Sequence, residues 1–520
     1  MFLPRVKQEA PGVQTNIISL SSFCCCQQTC MGGLFLNARR NTLYNVAYRV
    51  FSILLPLVTA PYLSRIVGEE GVGLYSYAWN ISYIFVLVGT LGLENYGVRA
   101  ISRVRDNREE LNRTFSAIWR MQRLVASAAL AVWLLYLFLV ADREKTIALS
   151  LTMMSVSCLL NLDWCLMGLD EFRPIAIRNT CVKLLAAGCV FLFIHGPEDL
   201  WVYGFAWSLA TLLGCLSCCL SLYGKVRVVP VTLKEAFSHL PACALLFVSV
   251  IAVSVYRTMD KVMVGAIAGM AQNGLYENAE KIIYCLSGFI SAFGSVMMPR
   301  AAHLLTEHRE DKVLEGMELS MHLVICMVSA MAFGILAVGE RFAPLFYGSA
   351  FTYSGTLMMP LGFSLVMIGF ANVIRMQWIL PHGMDHIVLR SVLTGAVVNL
   401  IANFMLIPRL GAMGAVIGTL LAEFSVPFVQ YLHLHKALPY RRYLIICLPY
   451  FLAGLAMTGT IWLISPLLPS DSWSALGLLV FFGAAVYGIL CLVYWKFSGV
   501  RLLSRLLPAG IKKRLRFLKG

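Results

Sequence analysis

The sequence predicts an all-α membrane protein of about fourteen transmembrane helices, and three observations carry that prediction. The 520-residue chain is 59% hydrophobic and only 13% charged, with a mean hydropathy of +0.75, whereas soluble domains carry roughly 25% charged residues. Apolar runs such as Ile53 to Ala60, Leu130 to Val140 and Leu476 to Tyr494 recur about every 30 to 35 residues, and each window approaches the roughly 20 apolar residues that cross a bilayer. The segments of about ten alternating residues expected of a transmembrane barrel are not found.

Residues 1–38 come first and do not fit the pattern. Cys24, Cys25, Cys26 and Cys30 are interleaved with Gln27 and Gln28, too polar to span and unlike a signal peptide. No His or further Cys pair completes a metal site there. The segment reads as a disordered tail, with Met31 as an alternative start. Residues 39–222 then hold six expected helices, 42–66, 71–94, 116–140, 147–168, 175–195 and 200–222. Residues 223–440 hold six more, 241–265, 275–298, 320–340, 354–376, 386–407 and 412–435. Two further helices, 443–466 and 473–495, fill 441–497, and 498–520 is a basic tail.

The formal charge of +15 sits in alternate loops rather than on a soluble domain, which argues against nucleic acid and for the positive-inside rule. Arg99, Arg103, Arg105, Arg108 and Arg113 share one loop, Lys225, Arg227 and Lys234 another, and Lys436, Arg441 and Arg442 a third. These loops, with the basic tail, put both termini in the cytoplasm of a multi-pass protein of the inner membrane. Most of the sixteen Cys, such as Cys215, Cys218 and Cys219, lie in apolar segments and read as small buried hydrophobes.

An internal repeat divides the chain. Val67-Gly68-x-x-Gly71-Val72-Gly73-Leu74-Tyr75 is echoed by Val264-Gly265-x-x-x-Gly269, then Asn273-Gly274-Leu275-Tyr276, about 201 residues later. Trp164, Gly168 and Arg178 are echoed by Trp378, Gly383 and Arg390. An even number of helices between copies keeps them parallel, so two six-helix lobes about an axis along the membrane normal are expected, with a cavity between them.

Four elements in order resemble a known family. They are Arg39-Arg40-Asn41-Thr42, then Tyr62-Leu63-Ser64-Arg65-Ile66-Val67-Gly68 running into Gly71-Val72-Gly73-Leu74-Tyr75. Asp260-Lys261-x-Met263-Val264-Gly265 follows, and last comes Asn399-Leu400-x-x-Asn403 leading to Pro408-x-x-Gly411-x-x-Gly414. Over about residues 40–440 the chain resembles the polysaccharide flippases, for O-antigen and capsule, of the multidrug/oligosaccharidyl-lipid/polysaccharide exporter superfamily. The resemblance implies a MATE-like fold and export of undecaprenyl-diphosphate-linked oligosaccharide repeat units by alternating access. Its implied partners are that lipid-linked substrate, membrane lipids and, as an open question, the polysaccharide polymerase machinery. A multidrug or cation antiporter of the same superfamily, or a membrane polymerase or ligase, is the alternative.

A diphosphate carried through a desolvated cavity needs cations inside the bilayer, and such charges are costly enough to mark function. Arg49, about 10 Å into helix 1, and Lys183 in helix 5 are the deepest candidates. Arg178, Arg257, Arg375 and Arg390 could complete a cationic ring or serve as membrane anchors. Arg257, Asp260 and Lys261 stand at i, i+3 and i+4, so a self-neutralised cluster on one helix face is the competing expectation. Asp163 and Glu423 are the first coupling candidates, with Asp260 third because those two cations should keep it ionised. Pro56 and Pro61 predict a bent helix 1 that could gate the cavity. Gly411, Gly414 and Gly418 read as close helix contacts. Neither a catalytic signature nor a cofactor fingerprint is present: Gly68 to Gly73 follows no strand, and His303 and His308 read as solvated surface.

Overall fold

The computed structural model describes residues 34–470 and 472–498, without the side chains of 34–54, 56, 245, 248–249, 252–253 and 255–256. Both expected tails fall largely outside this range, and the side chains of Arg49 and Pro56 lie outside the described residues. Among the described residues there is no strand. The helices are α1 (Leu34–Thr90), α2 (Leu93–Val104), α3 (Arg108–Leu139), α4 (Lys145–Ser150), α5 (Thr152–Ser157), α6 (Asp163–Gly168), α7 (Arg173–Phe193), α8 (Leu200–Ser221) and α9 (Leu233–Phe237). The second half continues with α10 (Leu240–Ala268), α11 (Met270–Thr306), α12 (Glu310–Tyr347), α13 (Thr352–Leu361), α14 (Ser364–Ile374), α15 (Asp385–Leu410), α16 (Ala412–Leu434), α17 (Tyr440–Ile464) and α18 (Trp473–Phe497).

Eleven helical stretches among the described residues are long and apolar enough to cross a membrane. The expected span 147–168 is not one of them, because it breaks into α4, α5 and α6. Its counterpart in the second lobe is also interrupted, between α13 and α14, and then turns through a π-helical segment, Arg375–Ile379. The expected loop after residue 94 instead forms α2, which buries Leu93, Gly97 and Ile101 and exposes Arg99 and Arg103. Its buried face packs on α6, where Gly97 meets Trp164 and Ile101 meets Gly168.

The backbone of α1 turns at a single residue. Its backbone runs helically past Pro56 and Pro61, and the non-helical residue inside it is Gly68, at φ 69° and ψ −177°. Proline fixes φ near −65° and cannot make this turn, whereas glycine can. Gly68 is thus the turn that joins the two spans expected as helices 1 and 2. Gly414 and Gly418 are close contacts as expected, but Gly411 is a positive-φ turn between α15 and α16.

The repeat meets itself in space. A Cβ on Gly73 would fall 1.7 Å from the Met270 carbonyl oxygen, and one on Gly274 would fall 1.9 Å from that of Glu69. Each pair is the other shifted by the repeat offset, and Ser76 donates to its own equivalent, Glu277, at 3.0 Å. Contact between a residue and its repeat equivalent is what a two-fold axis produces. Asn273 Nδ2 donates to the Gly73 carbonyl at 2.8 Å and Asn278 Nδ2 to Ser64 Oγ at 2.8 Å, which closes this end of the bundle. The additional helices α17 and α18 lie against α12, where buried His322 and Tyr450 are 2.9 Å apart and the Tyr487 hydroxyl donates to the Cys326 carbonyl at 2.7 Å.

The connection between the lobes is strapped to the first one. Backbone N–H groups of Arg227 and Val229 donate to Asn112 Oδ1 and Ser116 Oγ, at 2.7 and 2.9 Å. Thr232 and Glu235 cap α9 reciprocally, and Arg113 pairs with Glu235. The Thr232 amide first, then Arg113 and the Thr232 hydroxyl, hold the Glu235 carboxyl down to about 2.

Candidate functional site: a cavity between the lobes

A cavity of 550 Å³ opens beside the seam, walled by α1, α7 and α8 on one side and by α10 and α11 on the other. Its first wall is aromatic. Tyr75 and Trp79 stand one turn apart on α1, and Tyr203 and Trp207 one turn apart on α8. Tyr75 meets Tyr203 with ring centroids 4.8 Å apart, and Trp79 meets Trp207 edge-on at 5.5 Å. Both pairs follow a Tyr-x-x-x-Trp spacing that puts them on one helix face, a signal present in the sequence.

The opposite wall is charged. Lys261 of α10 lies 2.7 Å from Glu280 and 3.2 Å from Glu277, and Glu277 also reaches Lys281 at 3.4 Å. These side chains are a quarter exposed or less, so each charge depends on its partners, because an unpaired ion at such depth is costly. Lys183 of α7 completes the lining from the first lobe. Of the expected cations, Lys183 thus reaches the cavity. Sequence reasoning missed Glu277, Glu280 and Lys281, although three charges at i, i+3 and i+4 in an apolar helix were readable.

The remaining candidates go elsewhere. Arg178 and Asp163 find each other in a two-pronged pair at 2.6 and 2.7 Å, inside the first lobe. Asn179 Oδ1 accepts from Arg178 Nε and Nη2, so the guanidinium is engaged by neighbours and does not line the central cavity. Arg257 is exposed over the Tyr284 ring, 5.6 Å from its centroid. Arg375 lies within electrostatic reach of Arg257 and Glu423, which gathers three candidates in the second lobe. Arg390 is exposed, 3.3 Å from His433. His303 is also exposed, as expected.

The expected Arg257–Asp260–Lys261 cluster does not form. Asp260, buried at 3% exposure, accepts hydrogen bonds from Asn403 Nδ2 at 2.6 Å, Thr419 Oγ1 at 2.8 Å and the Tyr276 hydroxyl at 2.9 Å. Its partners are neutral and come from α11, α15 and α16, while Lys261 turns to α11. Adjacent helical residues point about 100° apart, so Asp260 and Lys261 meet different neighbours. The ground for ranking Asp260 last among coupling candidates is thereby removed.

Residues 38–305, just over half of the chain, match the family described as polysaccharide biosynthesis protein. The chain belongs to that family. A putative O-antigen transporter of Shigella dysenteriae is 23% identical over 71% of this chain and 93% of its own length. A putative O-antigen transporter of Escherichia coli K12 is 22% identical over 75% and 94%. Among solved structures, the lipid II flippase MurJ in an inward closed conformation superposes with a TM-score of 0.71 at 14% identity, covering 88% of this chain and 98% of that one. An inward-facing multidrug MATE transporter gives 0.58 at 14% identity over 78% and 98%. These likenesses establish a MATE-like fold for the chain.

Proposed function

We propose that the protein is a flippase that moves lipid-linked oligosaccharides across the cytoplasmic membrane by alternating access, without chemical conversion of its cargo. The observation that carries this reading is the cavity between repeat-related lobes, with aromatic rings on one wall and lysines on both. Aromatic faces suit the C–H faces of sugar rings, and the ammonium groups suit a diphosphate. Arg49 and Lys183 are the diphosphate ligands we favour, with Arg375 and Arg257 following the headgroup along the second lobe. Arg390 and the loop arginines anchor the basic side of the bundle in the cytoplasm, where both termini then lie. In the cation-antiporter alternative the cavity should be acidic, whereas Lys261 and Lys281 already balance Glu277 and Glu280.

The chain carries no P-loop pattern, so direction must come from an ion gradient or from consumption of the product, a polymerase being the natural consumer. Of the three coupling carboxylates, Glu423, Asp163 and Asp260, we place Asp260 ahead of Asp163, whose charge is committed to Arg178. Deleting the gene tests the whole reading: a lipid-linked intermediate should accumulate on the cytoplasmic leaflet and disappear when the wild-type gene is restored. Unchanged surface glycan and no such accumulation, with altered sensitivity to cationic drugs, would overturn it in favour of the antiporter.

A further inference from the structure

A second recess lies inside the first lobe, enclosed by α1, α5, α7 and α8, with a volume of 260 Å³. It shares Lys183 and Trp207 with the central cavity, so the two spaces meet at those side chains. Whole-ligand pockets usually run about 300–1,000 Å³, so the recess is suited to one group of a larger ligand whose remainder stays in the cavity.

Its lining describes that group. Asn179 commits its carbonyl oxygen to Arg178, at 3.1 Å from Nε and 2.8 Å from Nη2, and Asn161 commits its own to the Asp163 backbone N–H at 3.1 Å. Each oxygen is thereby fixed, which leaves the amide N–H ends as the donors that can turn to a guest. Trp207 supplies an aromatic surface at the entrance, while Val86 and Val182 supply aliphatic walls. The Arg178 charge in the lining is compensated by Asp163, at 2.6 and 2.7 Å. Fixed amide donors, an aromatic face and no uncompensated anion suit a neutral ring bearing hydroxyl or acetamido groups. They do not suit a hydrocarbon chain, which would leave the amides unpaired, or an organic cation, which would meet Lys183.

We infer that this recess receives one sugar ring of the transported glycan and discriminates between sugars there. The inference rests on the flippase reading above. Lys183 stands where the recess meets the cavity, so the diphosphate binds at the mouth while the recess governs which glycan is carried.

The test compares lipid-linked oligosaccharides that differ in one sugar at a time, an N-acetylated ring against the same ring with a hydroxyl in place of the acetamido group, for transport in vesicles containing the full chain. Thr211→Leu adds bulk to the recess, and Asn179→Ala removes a donor and opens it. Thr211→Leu should lose the bulkier cargo by about tenfold or more relative to the smaller one, the scale of discrimination a shaped pocket supplies. Asn179→Ala should relax the wild-type preference. If both variants insert normally and slow every cargo by one common factor, or leave the ratios at wild-type values, the recess does not read the sugar. If one variant fails to insert, the other's ratios decide alone. Wild-type protein that moves none of the oligosaccharides would overturn the flippase reading itself, so the two failures are distinguishable.

Discussion

The seam where the repeat meets itself offers the sharpest perturbation. Replacing Gly73 with alanine would put a Cβ 1.7 Å from the Met270 carbonyl oxygen and 2.7 Å from the Gly274 nitrogen. Ordinary close C···O contacts are about 3.3–3.6 Å, so α1 and α11 would have to part by well over 1 Å at this point. Overpacking of this kind costs about 1–3 kcal/mol, and the cost falls only on the state in which this end of the bundle is closed. A difference of that size shifts a two-state equilibrium by roughly 5- to 150-fold. Spin labels at Glu70→Cys and Ala266→Cys, both exposed in the wild type, would report the change as a longer-distance population in a background lacking the other cysteines. Transport should fall in parallel, because the cycle needs both end states. Gly274→Ala should act in the same direction, since its Cβ would sit 1.9 Å from the Glu69 carbonyl oxygen, and the double variant should cost less than the sum because both act at one contact. A Gly73→Ala protein with an unchanged distance distribution and full transport would refute the reasoning.

Three further outcomes follow from the geometry. Lys261→Ala strips the principal cation from Glu277 and Glu280 and should destabilise the protein by about 3–5 kcal/mol, as loss of one partner of a buried ion pair does; the triple variant with Glu277→Gln and Glu280→Gln should recover much of the loss in a detergent melting assay. Asp260→Ala leaves the donors of Asn403, Thr419 and Tyr276 seeking partners, at about 1–3 kcal/mol per buried group. Asp260→Asn should fold better yet lose any dependence of transport on the proton gradient, and unchanged pH dependence in that variant would remove Asp260 as a coupling group. The Glu235 carboxyl, held down to about 2, contributes stability that is fully present above the ordinary carboxylate range and is lost as pH falls toward 2. Proteolysis of the connecting strap should therefore be flat between about pH 5 and 8 and rise only under strong acid, whereas Glu235→Gln should raise it across the neutral range.

What the sequence determined by itself was set by local and periodic physics. Apolar runs of bilayer length require helices in lipid because no other segment satisfies its own backbone there. A motif repeated after about 201 residues, with an even number of helices between, requires parallel lobes. Gly73 and Gly274 were legible as part of that motif, and Lys183 was legible by its depth alone. The tertiary structure decided which charges meet. Sequence position suggests separate roles for Arg178 and Asp163, diphosphate ligand and coupling group, yet they neutralise each other across two helices at 2.6 and 2.7 Å. Helical spacing pairs Asp260 with its nearest charged neighbours in the chain, but its hydrogen bonds come from residues 143 and 159 positions away as well as from Tyr276. Helical spacing tells which residues share a face; it does not tell which helix that face meets. A charge buried in a bundle takes the partner its helix packing brings within reach, and that packing is a property of the assembled lobes rather than of any one segment.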